Sequence, residues 1–92
     1  MGLQFEWNDR KAQTNKKKHG VTFEEASTIF GGLLSITIAD PVHSIGEGRF
    51  ITIGRSINEK LIVVVHTDRD DIVHIISARK ATKNEKRQYE QG

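Results

Sequence analysis

The chain has 92 residues, of which 36% are hydrophobic and 28% charged, with no cysteine and a formal net charge of +2. That length supports one domain with one modest core, read here as residues 1–92. The absence of cysteine excludes a disulfide framework, a thiolate nucleophile and a thiolate zinc site. No apolar run approaches the length that spans a bilayer, and no signal-peptide pattern stands at the start, so the expectation is a cytoplasmic protein with no membrane role. Met1-Gly2 begins like a myristoylation signal, but Glu6 stands where that pattern needs Ser or Thr.

Charge is unevenly spread. Residues 1–20 carry a net +3, residues 21–75 a net −4 and residues 76–92 a net +3. If the basic ends meet in space they form one cationic patch, the footprint of a phosphate-backbone binder.

In chain order, Phe5 and Trp7 alternate with Gln4 and Glu6 in a short extended opening whose aromatic side faces the core. Asn8 is a good helix N-cap, Lys16, Lys17 and Lys18 suit the last turn, and Gly20 suits the C′ position. This helix has almost no apolar side chain beyond Ala12, so it is expected to be largely solvated. Thr22 and Glu25 form a capping box for a second helix, whose stripe of Phe23, Ala26, Ile29 and Phe30 packs on a sheet and which Gly31-Gly32 stops. The period then changes to two. Strands are expected from Leu33 to Ala39, from Arg49 to Ser56, from Leu61 to Val65 and from Ile72 to Lys80. The third is apolar on both faces, the mark of a central strand. A second capping box, Thr82 and Glu85, opens a short basic helix that needs Tyr89 to dock somewhere. The expected fold is α+β: two N-terminal helices, a four-stranded antiparallel β-sheet, and a short C-terminal helix.

The junction of the last strand and last helix gathers Arg79, Lys80, Lys83, Lys86 and Arg87. Arg79 could clamp a phosphate with its planar fork or pair with an acid of its own domain. Arg55 carries the same two readings, and the helix cations could equally be a solvated face. With even-length turns at 57–60 and 68–71, Arg55, Ser77 and Arg79 share one face at one end of the sheet. Arg49 and His66 then share it at the other end, roughly 20 Å away. A one-residue slip would flip these faces. His66 is either a proton-transfer group or a packed histidine. His19, His43, His66 and His74 show no metal-ligand spacing, so no metal or cofactor is expected.

Six runs, taken together, resemble one family: Phe5-Glu6-Trp7-Asn8, Lys18-His19-Gly20-Val21, Phe23-Glu24-Glu25-Ala26, Glu47-Gly48-Arg49-Phe50-Ile51-Thr52-Ile53-Gly54, Val64-Val65-His66-Thr67 and Ile75-Ile76-Ser77-Ala78-Arg79-Lys80-Ala81. Their order and spacing are similar to the BrnT toxins of bacterial type II toxin-antitoxin systems. The resemblance implies a RelE-like ribonuclease that cuts RNA without a metal and so inhibits translation. It also implies a BrnA-like ribbon-helix-helix antitoxin that neutralises the toxin and contacts DNA, which the toxin would then meet only indirectly. Mapped by motif, Arg79 is the expected phosphate clamp, Arg49 or Lys80 a second cation and His66 an acid or base. Arg55, Thr67, Lys83, Lys86, Arg87 and Tyr89 are the expected RNA contacts. The distance between His66 and Arg79 stands against that pairing unless sheet twist and the 40–48 loop close it. The competing reading is a non-catalytic module that binds nucleic acid or a partner, favoured by the lack of a convincing acid–base pair in the sequence.

Overall fold

Phe5 and Trp7 can bury their rings only by lying in the sheet, and in the computed structural model Gln4–Trp7 is its first strand, β1. The structure describes residues 2–32, 34–40 and 48–91, so the expected polar loop with His43, Gly46 and Glu47 lies outside the described residues. Helices α1 (Asp9–His19) and α2 (Phe23–Ser27) follow, then a 3-10 turn (Thr28–Gly31), strands β2 (Ile36–Ala39), β3 (Arg49–Arg55), β4 (Leu61–Arg69) and β5 (Ile72–Lys80), and helix α3 (Lys83–Gln91). The strand order is β1-β5-β4-β3-β2, with β1 parallel to β5 and the other pairs antiparallel. The sheet is therefore five-stranded and mixed rather than a four-stranded antiparallel meander. Four alternating residues at the chain start do not reveal, by pattern alone, that they complete a sheet edge 68 residues away.

All three helix starts are capped as their side chains require. Asn8 Oδ1 accepts from the Lys11 amide at 3.1 Å and Thr22 Oγ1 from the Glu25 amide at 3.0 Å. At α3 the box is reciprocal: the Thr82 amide donates to Glu85 Oε1 at 2.8 Å and the Glu85 amide to Thr82 Oγ1 at 3.2 Å. Gly20 ends α1 at φ +70°, in the left-handed region a glycine enters without strain.

One sheet face carries Phe5, Trp7, Ile62, Val64, Val73, Ile75 and Ala78 against Val21, Phe23, Ala26 and Ile29 from the helical layer. The solvated α1 is fixed by a polar residue. Asn15 is buried and makes three bonds, from Nδ2 to the Val21 and Ala78 carbonyls at 3.0 and 2.8 Å and from the Ala78 amide to Oδ1 at 3.1 Å. Because β1 pairs only as far as Ile75, its amide takes the place of a missing strand residue beside Ala78.

α3 lies on the opposite face. Tyr89 donates its hydroxyl to the Leu34 carbonyl at 2.8 Å, and Glu85, Gln88 and Tyr89 line a hollow over Ile51, Ile53 and Val63. β4 is buried from both sides over Leu61–Val64, as its doubly apolar sequence demands.

Two irregularities set the register. The first hairpin leaves five residues between Arg55 and Leu61, which pair directly, whereas the even turn expected at 57–60 would put Arg55 opposite Ile62, one residue further on. In the second, Ile62 pairs with Lys80 rather than Ser77, because the turn shortens to Asp70-Asp71 and a bulge at Ile76 adds one residue to β5. The one-residue shift of the first hairpin and the three-residue shift of the second are both odd, so they cancel in their effect on faces for Arg55, Ser77 and Arg79, which do share a face. They do not cancel for Arg49, which pairs with Thr67 and so faces away from His66.

Candidate functional site

Across the open face of the sheet runs one row of side chains from four strands. Arg49 on β3 is opposite Thr67 on β4, Thr67 is opposite His74 on β5, and His74 is opposite Glu6 on β1. The row forms the floor of a cleft of about 610 Å³ to which Lys11 and Arg69 also contribute. Three cations thus converge on one concavity, and none of them has an ion-pair partner among the described residues. The cations attract an anion, and the Glu6 and Asp68 carboxylates that also line the cleft oppose it in part.

His74 stands at the centre of the row, between Thr67 and Glu6. Its Nδ1 stands 2.9 Å from Glu6 Oε2, and its side chain is 38% exposed. With Glu6 ionised, Nδ1 carries the proton and donates it. Nε2 has no hydrogen-bond partner among the described residues.

His66 is built differently. It is 1% exposed on the helical face, edge-on to Phe30 and stacked on Phe50. Its Nδ1 donates to Asp68 Oδ1 at 2.6 Å, and its Nε2 is 2.7 Å from Thr52 Oγ1, which is in turn 2.7 Å from Thr37 Oγ1. Both ring nitrogens are engaged inside the protein, and Thr52 has no exposed surface. His66 therefore sits where substrate has no access to it.

The remaining expected site residues divide into two groups. Arg49 and Thr67 enter the cleft. Arg79 is about 15 Å along β5 from His74 and is held in a two-pronged bond by Glu85, at 2.7 Å to Oε1 and 2.8 Å to Oε2. Those bonds raise the Arg79 pKa and hold the Glu85 carboxyl down at about 2, against the cost of partial burial. Arg55 meets Glu90 at 3.3 Å and Tyr89 anchors α3. Lys80 is exposed at the end of the helical face, and Lys83, Lys86 and Arg87 are exposed on α3. The five-cation junction is thus spread over both faces rather than focused on one point.

Sequence reasoning passed over His74, Glu6, Lys11 and Arg69. The signal is absent locally: Glu6 and His74 meet only through the parallel pairing, and the bulge decides which face His74 takes. Among the described residues, no group of three His, Asp or Glu side chains converges where a metal ion could be held.

The fold and the cleft define a small α+β domain with a cationic groove on the open face of a mixed sheet, a form suited to an anionic polymer. A family model described as the ribonuclease toxin BrnT of type II toxin-antitoxin systems matches residues 7–85. The chain belongs to that family. No curated protein matches the sequence. Among solved structures, the crystal structure of the Brucella abortus ribonuclease toxin BrnT is similar in fold, with a TM-score of 0.68 and 23% identity over 88% of this chain and 99% of that one.

Proposed function

We infer that this toxin acts as a metal-independent endoribonuclease at the open-face cleft, and that the arrest of translation and growth follows from the cutting. The observation that carries this is the cross-strand row with its cations, Arg49, Arg69 and Lys11, around one exposed imidazole. Cleavage of an RNA phosphodiester needs the 2′-hydroxyl positioned and activated, the phosphorane charge stabilised and the 5′-oxygen protonated. The three cations supply the second need. In this reading side chains of the cleft supply the others.

In this reading, Arg49 grips the scissile phosphate. Arg79 is a positioning residue that fixes α3 through Glu85, and Lys83, Lys86 and Arg87 extend the contact to neighbouring phosphates. A BrnA-like ribbon-helix-helix antitoxin neutralises the toxin in the cytoplasm and alone meets DNA.

The test is incubation of the purified chain with single-stranded RNA in excess EDTA, alongside induction in a bacterial host with and without a ribbon-helix-helix protein encoded beside it. RNA fragments in EDTA and growth arrest lifted by the second protein are expected. Intact RNA that is nevertheless bound with a steep salt dependence would overturn cleavage in favour of a binding module.

A further inference from the structure

We propose that His74 is the general base of RNA cleavage and that Glu6 is the residue that positions it; this rests on the reading that the cleft cuts RNA. His74 and Glu6 come from strands that meet only through the parallel edge pairing, and their 2.9 Å bond engages Nδ1, leaving Nε2 available in the cleft. The alternatives among the described residues are already committed. His66 is buried with both nitrogens bonded, Asp68 is engaged by His66, and Lys11, Arg49 and Arg69 are cations. An imidazole is also the one side chain whose ordinary titration range spans neutral pH.

His74 Nε2 takes the proton of the 2′-hydroxyl, the 2′-oxygen forms a bond to the adjacent phosphorus, and the bond from phosphorus to the 5′-oxygen breaks. The 5′-oxygen takes a proton from water, and the imidazolium gives its proton to the hydroxide so formed. The products are a 2′,3′-cyclic phosphate end and a 5′-hydroxyl end, and a 2′-deoxy residue at the cleaved position blocks the reaction. The groups that bear on His74 are Glu6 from β1, Lys11 from α1, Arg49 from β3, and Asp68 and Arg69 from β4.

The experiment uses the full chain in EDTA with a single-stranded RNA oligonucleotide, and reads kcat and KM across pH 5–8. His74→Gln is expected to lower kcat by about 100-fold with KM within about twofold, and to abolish the acidic limb of the profile. Added imidazole restores part of the activity of His74→Ala. Glu6→Gln lowers kcat by about tenfold and displaces the acidic limb, because the carboxylate bonded to Nδ1 is gone. His74 is partly exposed, and each variant is checked for an unchanged thermal midpoint, with the Glu6→Gln profile as the independent readout. If His74→Gln keeps its kcat and its acidic limb while Arg49→Ala is inactive, the base is another group and the proposal falls alone. If the unmodified chain leaves RNA intact, the reading beneath it falls as well.

Discussion

His74 and Arg79 lie on the same face of β5 although they stand five positions apart. In a regular strand that odd spacing would put them on opposite faces. The bulge at Ile76 supplies the extra residue that brings them to one side, with Ile75 and Ala78 on the other. It places the cleft and α3 on one surface and leaves the opposite face to the core.

Arg49 and Arg79 are expected to separate in their effects. Arg49→Ala removes a cation from the cleft floor and should lower RNA cleavage by about 100-fold with little change in melting. Arg79→Ala breaks the pair with Glu85 and loosens α3, so its main effect should be on the thermal midpoint. Cleavage assays and thermal melts on the two variants check the distinction, and the reverse pattern would return the phosphate clamp to Arg79.

His66 is expected to matter to stability. His66→Ala removes one of the two partners of Thr52 Oγ1 and leaves it only Thr37, opens a void between Phe30 and Phe50, and should cost about 3 kcal/mol in chemical denaturation. At a temperature where the variant is folded, its cleavage rate should stay within about threefold of the unmodified chain, since substrate does not reach the ring.

Asn15 should be among the most sensitive positions in α1. Asn15→Ala leaves the Ala78 amide and carbonyl and the Val21 carbonyl unpaired in a buried setting, at a cost of about 2–4 kcal/mol by urea denaturation. Asn15→Asp should be worse, because it loses the donors and buries a charge.

The Arg79–Glu85 pair sets an acid-side dependence of stability. Glu85 has a folded pKa of about 2, below its ordinary 4.5, so its contribution is present above pH 4.5 and is lost as pH falls toward 2. With both side chains partly exposed, solvent screening reduces that contribution to about 1 kcal/mol. Glu85→Gln should therefore melt below the unmodified chain at pH 6, and the difference should vanish near pH 2.

Much of the local structure is legible without coordinates. Asn8, Thr22 and Thr82 mark helix starts because capping is a short-range hydrogen-bond requirement, and Gly20 marks an end because the chain turns left-handed there. The doubly apolar run at Leu61 likewise marks β4 as central. The site is far less legible. Arg49 and Thr67 are expected contacts that do enter the cleft, whereas His66, the histidine the sequence singles out, is buried and the imidazole that lines the cleft is His74.

What the sequence determined by itself was what neighbouring residues decide among themselves: the elements, their caps, the apolar faces and the α+β class. Tertiary structure alone decided which polar groups meet. The register rests on one five-residue turn and one bulge, and the Glu6–His74 pair on a parallel edge joining the first strand to the last. A single-residue shift turns a strand's side chains to the other face, so the face of each histidine is settled only when the whole sheet has assembled.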